Sequence, residues 1–186
     1  YGKTTEMINN FTSDEKYLVI VPYLSEIQRV IKDSKPIKFL DPEAEVGTKT
    51  ESLHALLLTG ENISTTHSLY PNLVQMADMG LLNHYNIIID EVPDVANTVL
   101  SKSKYSIQEF YIDGSYIVVD SDGLVYPTEK WRNNQHEVSD TLTDKIRTLA
   151  ESGCLYLVNG SLFLWALPKR LLTAGKSMTI LSYKTN

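Results

Sequence analysis

This sequence is poor in the residues that build several common kinds of site. It holds one cysteine, Cys154, so no internal disulfide can form and no thiolate metal cluster is available. The four histidines are scattered, with no zinc-ligand spacing. No apolar run is long enough to cross a bilayer, and no signal peptide is visible. Basic residues are in deficit, with a formal net charge of -6, which argues against a free-standing nucleic-acid binder with a basic face. Contacts through loop amides and hydroxyls need little net charge and stay open. Cys154 reads as a small core residue, and the Asn-x-Ser/Thr sequons at Asn10, Asn62 and Asn159 read as chance.

With 186 residues, 42% of them hydrophobic, the chain can bury a core, and one domain over 1–186 with an insertion is expected. Its centre is Tyr85-Asn86-Ile87-Ile88-Ile89-Asp90-Glu91. A β-branched run of this length has the form of a strand buried on both faces, as in a parallel sheet. Asp90 and Glu91 then fall at the strand's C-terminal end, where open α/β sheets bind ligands. Gly2-Lys3-Thr4-Thr5 supplies the matching half. A lysine reaches the outer phosphates of a nucleotide, a threonine hydroxyl holds magnesium, and an aspartate from a second strand completes the metal's shell. The glycine-rich part of the full phosphate-loop motif would lie before Tyr1. The chain is therefore expected to start inside its own motif, without the first strand of its sheet.

Around this pair the chain alternates. Glu6 to Phe11 continues as the helix that the phosphate loop opens, and Thr12-Ser13-Asp14 ends it. Lys16 to Pro22 is a buried strand closed by Pro22. Ser25 is expected to cap a helix through Lys32 whose residues Ile27, Val30 and Ile31 share one face. Residues 33–52, with Pro36, Pro42 and Gly47, read as a surface connection. A helix from Ser52 to Leu58 ends at Gly60, and Asn62 to His67 is a strand running into hydroxyls and a histidine. Thr65, Thr66 and His67 are either a strand end with a helix cap or substrate contacts. Leu69 to Leu82 reads as a helix punctuated by Pro71 and Gly80.

From Asp94 the pattern turns to short β runs. Val95 to Ser101 suits a short helix. Phe110 to Ile112, Tyr116 to Val119 and Leu124 to Tyr126 read as strands, with hairpin turns expected at Asp113-Gly114 and Asp122-Gly123. A β-rich insertion over 105–130 is the expectation, either a solvated flap or a strand-separating wedge. Asp120-Ser121-Asp122-Gly123 echoes a calcium loop but lacks the downstream ligands. Asp140 to Ser152 is a helix, Asn159-Gly160 joins two further strands, Pro168 opens a short helix, and Met178 to Tyr183 returns to the core strand type.

Gly2-Lys3-Thr4, Val19-Ile20-Val21-Pro22, Ser64-Thr65-Thr66-His67, Ile88-Ile89-Asp90-Glu91 and Ile180-Leu181-Ser182 resemble, in this order, the motifs of the first RecA-like domain of superfamily two helicases. The likeness spans nearly the whole chain apart from 105–130. It implies an α/β fold, a parallel P-loop sheet flanked by helices, that binds ATP and Mg2+. It implies that Gly2, Lys3, Thr4 and Thr5 contact nucleotide, that Thr4 and Asp90 hold magnesium, and that Glu91 orients or deprotonates the attacking water. Pro22, Thr65, Thr66 and His67 would face nucleic acid, DNA rather than RNA, and a second RecA-like domain would complete the motor. The setting implied is cytoplasmic, the host cytoplasm for a phage-type protein. Val92-Pro93 and Ser182-Tyr183-Lys184 depart from the family pattern at places that couple hydrolysis to motion. By the same likeness the 186-residue piece alone is expected to fold but hydrolyse little. The other reading is a degenerate or regulatory P-loop domain that binds nucleotide or protein without turnover. A related packaging or remodelling ATPase also stays open.

Overall fold

A computed structural model describes residues 2–43, 47–91, 97–98, 106–133, 141–166 and 169–181. The chain divides into two compact units, Tyr1–Pro93 with Lys169–Asn186, and Asp94–Pro168.

The first unit is built on five parallel strands. In chain order it runs α1 (Lys3–Asn9), β1 (Lys16–Val21), α2 (Leu24–Asp33), β2 (Phe39–Leu40), α3 (Lys49–Leu58), β3 (Asn62–Thr66), α4 (Tyr70–Asp78) and β4 (Tyr85–Asp90). A 3-10 turn over His67–Leu69 leads into α4, and another over Lys169–Thr173 precedes the last strand, Ser177–Leu181. That strand lies at one edge, next to β4, and β1, β3 and β2 follow in that order. In register, Ile20 stands beside Thr65 and Ile89, and Leu181 stands beside Asp90. The strands expected to end near Val21, Ser64, Asp90 and Ser182 do lie side by side, and they end at Val21, Thr66, Asp90 and Leu181.

Both faces of β1 are covered, which is what its unbroken apolar run requires. Tyr17, Val19 and Val21 pack with Met7 and Ile8 of α1, Ile27 and Val30 of α2, Phe39 and Ile88. Leu18 and Ile20, pointing the other way, have no solvent exposure. At the lower end of β4 the buried Tyr85 hydroxyl donates to the Glu61 carbonyl at 2.9 Å. Burial, and secondarily the Glu61 charge, push this phenol up to about 12. Only the folded chain penalises the tyrosinate. Tyr85 therefore contributes stability that is complete below its ordinary pKa of about 10 and is lost as pH climbs through about 12. Tyr85→Phe is expected to flatten this alkaline limb, read as urea midpoints from about pH 9 upward. Equal slopes in both proteins would remove Tyr85 as its source.

Several expectations are corrected. The helix after β1 begins at Leu24 behind Tyr23 with no side-chain cap, so Ser25 lies inside it. The stretch 33–52 is no simple surface connection, because Phe39 and Leu40 pair with β3 and Phe39 is buried. The following helix starts at Lys49, three residues before Ser52, because Thr48 and Glu51 form a reciprocal capping box. Helix α1 ends at Asn9, ahead of the polar Thr12-Ser13-Asp14.

The second unit is mixed. It contains β5 (Asn97–Thr98), β6 (Ile117–Val119), β7 (Val125–Pro127), α5 (Glu129–Asn133), α6 (Thr141–Glu151), β8 (Leu155–Val158) and β9 (Leu162–Trp165). With these assigned, the last strand of the first unit is β10. Strands β5, β9 and β8 form one antiparallel sheet, and β6 and β7 pair as a hairpin. Asn159 and Gly160 both take positive φ, 51° and 66°, the geometry that a two-residue hairpin turn demands. Phe110 to Ile112 are not a strand. They belong to a π-helical turn, Ile107–Ile112, opened by Ser106, whose Oγ accepts from the Glu109 amide at 2.9 Å. Asp113-Gly114 accordingly closes that turn instead of a hairpin, and a Cβ on Gly114 would come 2.1 Å from the Phe110 carbonyl oxygen. Of the helix expected over Val95 to Ser101, Asn97 and Thr98 are strand instead; the rest lies outside the described residues. The core is aromatic. Trp131, without exposure, meets Tyr111 at 5.3 Å and Tyr116 at 6.2 Å between ring centroids, and Tyr111 meets Phe163 at 5.4 Å.

Candidate active site

Strand β4 delivers Asp90, only 5% exposed, at the C-terminal edge of the sheet. There the Thr4 hydroxyl of α1 donates to Asp90 Oδ2 at 2.8 Å, across 86 positions of sequence. The lysine-threonine pair and the acid pair are therefore brought to one place. Lys3 itself lines a cavity of about 350 Å³ with Tyr17, Ile88, Thr179 and Leu181. Gly2, Thr4 and Thr5 line a neighbouring open groove of about 650 Å³ with Arg29, whose Nη2 donates to Thr5 Oγ1 at 2.7 Å.

Glu91 leaves the strand with φ 62°, a left-handed conformation uncommon for a residue with a side chain. Its amide donates to the Leu181 carbonyl at 2.9 Å, extending the β4–β10 pairing by one bond. His67 Nε2 lies 3.2 Å from the Asp90 carbonyl oxygen, and since a carbonyl only accepts, that nitrogen carries the proton. The ring is half-buried and stacks on Tyr70 at 5.5 Å. Burial lowers the His67 pKa below its ordinary value, against the opposing pull of the Asp90 carbonyl and the Glu91 and Asp90 charges.

Two residues join the site that the sequence did not point to. Glu26 is raised above the ordinary carboxyl range, first by burial and then by the charges of Asp90 and Glu91, and its Oε2 is sheltered without a hydrogen-bond partner among the described residues. Arg29 is the second. Their positions on α2, just after β1 ends at the same sheet edge as Asp90, were the available signal.

Among the residues expected to face nucleic acid, Pro22 and Thr66 are half-buried, and Thr65 is only 2% exposed. Thr66 Oγ1 shares a 2.7 Å hydrogen bond with Ser68 Oγ. Val21 stands beside Thr66 in register, so Pro22 follows β1 next to the last residue of β3. In the second unit Asp120 serves its turn: Oδ1 accepts from the amides of Asp122 and Leu124, each at 2.9 Å, and Oδ2 accepts from the Tyr126 hydroxyl at 3.2 Å. Val92-Pro93 and Ser182-Tyr183-Lys184 lie outside the described residues.

The oxygen donors at the site suit a hard cation. Among the described residues no group of three or more His, Cys, Asp or Glu side chains is arranged to hold a metal ion. A hydroxyl and one carboxylate, completed by phosphate oxygens and water, is the donor set that magnesium commonly takes at nucleotide sites. Among the described residues no helix is long and apolar enough to cross a membrane.

No family model matches the chain, and no solved structure matches it. It is 28% identical over 191 residues to a SPbeta prophage-derived uncharacterized protein, YonV, of Bacillus subtilis (strain 168). The match covers 98% of this chain and 46% of that protein, so the chain spans less than half the length of its relative.

Proposed function

We propose that this chain is the ATP-binding, RecA-like lobe of a superfamily two helicase or translocase. The observation that carries the reading is the 2.8 Å hydrogen bond between Thr4 and Asp90, which joins the two residues a P-loop enzyme needs on one magnesium ion. The parallel sheet, with both residues at its C-terminal edge, supports it. The prophage origin in the relative's name agrees with a phage-type protein working in a host cytoplasm.

In this reading Lys3 engages the outer phosphates, Gly2 and Thr5 flank them, and Thr4 and Asp90 supply the protein ligands of Mg2+. Magnesium, when bound, offsets charge on the phosphate oxygens. Glu91 orients the attacking water and accepts its proton. Pro22 and Thr66 lie on the side toward nucleic acid, preferentially DNA, with the buried Thr65 beneath them, and a second RecA-like domain supplies the other wall of the cleft.

The test is nucleotide binding by the full-length protein, followed with a fluorescent ATP analogue during magnesium titration. Magnesium is expected to tighten binding to the native protein, and Asp90→Asn to remove about tenfold or more of that gain while leaving magnesium-free binding in place. An Asp90→Asn protein with an unchanged magnesium response would overturn the assignment.

A further inference from the structure

The Asp90–Glu91 peptide group is gripped at both of its polar atoms. Its carbonyl oxygen accepts from His67 Nε2 at 3.2 Å, and its N–H donates to the Leu181 carbonyl at 2.9 Å. One grip comes from the turn after β3, the other from β10, so elements on opposite sides of β4 fix a single peptide plane. The orientation of that plane helps set the left-handed φ of 62° at Glu91 and hence the direction in which its side chain departs. A glutamate in this conformation persists only where its surroundings hold it there. His67 is itself held, half-buried and stacked on Tyr70 with 27° between the rings. Its ring N–H points inward to the β4 backbone, away from the nucleic-acid role that its motif implies.

We propose that His67 is a positioning residue for hydrolysis: its Nε2–H fixes the Asp90–Glu91 peptide and thereby aims the Glu91 carboxylate at the attacking water. The proposal rests on the reading of Glu91 as the group that acts on water, and its structural half stands apart from that reading. Among the described residues the side-chain partners of His67 are the Asp90 carbonyl and the Tyr70 ring, neither assigned to the phosphates, so its loss is expected to act on turnover and not on nucleotide affinity. A misaimed catalytic group is costly in rate even when nothing else moves.

Two measurements on the full-length protein test it. In steady-state ATP hydrolysis, His67→Ala is expected to lower kcat by about tenfold or more with KM for ATP nearly unchanged. His67→Gln, whose amide N–H can reach the same carbonyl, is expected to recover most of that loss, and the shorter His67→Asn is not. In amide hydrogen exchange, His67→Ala is expected to speed exchange at Glu91 by about tenfold while Ile88 and Ile89 keep their protection, with His67→Gln close to native. Unaltered Glu91 exchange in His67→Ala overturns the peptide grip, whatever the enzyme's activity. Unaltered kcat, or a loss confined to nucleic-acid affinity, overturns the positioning role and returns His67 to the nucleic-acid side. If the alanine protein does not fold, the glutamine and asparagine variants carry the same comparison. A native protein that hydrolyses no ATP would instead defeat the helicase reading, and the exchange data would still decide the grip.

Discussion

In the full-length protein, Glu91→Gln is expected to keep its nucleotide and lose turnover by about 10²- to 10⁴-fold, the usual worth of a positioned general base. The amide preserves shape and hydrogen bonding but takes up no proton. Lys3→Ala is expected to lose both binding and turnover, because a phosphate-bound lysine acts in the ground state and the transition state alike. The contrast between the two variants is the discriminating result, and equilibrium nucleotide binding beside steady-state hydrolysis reads it. The geometry makes the two separable: Lys3 lines the cavity beside Ile88 and Leu181, whereas Glu91 stands beyond the end of β4. Hydrolysis that survives Glu91→Gln unchanged would take Glu91 out of the mechanism and put the regulatory P-loop reading ahead. On the helicase reading an arginine from a second lobe would complete the site, a contribution of about 10³ to 10⁵ in rate in analogous phosphoryl-transfer systems, so both measurements belong in the full-length protein.

The largest expected loss of stability is at Trp131. Its ring has no exposure and forms the centre of an aromatic cluster with Tyr111 and Tyr116. Its Nε1 is buried without a hydrogen-bond partner among the described residues, so all of its contribution is packing. Trp131→Ala is expected to cost about 3–5 kcal/mol, cavity included. Trp131→Phe keeps a ring in the cluster and loses no hydrogen bond, and is expected to cost about 1–2 kcal/mol. For a unit of this size each kcal/mol lowers Tm by roughly 4–8 °C. Hydrogen exchange should localise the damage to the second unit and leave β1 and β4 protected. Equal costs for the two substitutions would show that the ring at 131 is not the keystone of that core.

The parallel sheet was legible because β1 and β4 are β-branched runs too apolar for any other surroundings, and because β4 stops abruptly on Asp90 and Glu91. That Asp90 and Thr4 should meet was legible from residue type and order, and the hydrogen bond between them shows that they do. What escaped was decided by contacts. Phe39 and Leu40 form a strand too short to show periodicity, and only pairing with β3 makes them one. Phe110 to Ile112 have strand composition, but Ser106 caps a turn over them and the Phe110 and Tyr116 rings stack at 4.6 Å. Glu26 and Arg29 look like solvated helix residues until the fold turns α2 toward Asp90 and Thr5.

Strands β4 and β10 are neighbours in the sheet, yet the whole of Asp94–Pro168 lies between them in sequence. Joining the ends of a flexible segment costs entropy that grows only with the logarithm of its length, about 0.6 kcal/mol for each doubling. A guest unit at this junction therefore weighs little on the host sheet, and one with its own aromatic core orders itself at its own expense. The junction between the acid strand and the strand that clasps it is thus a place where whole modules can be gained or exchanged with small thermodynamic consequence for the sheet edge that carries Asp90.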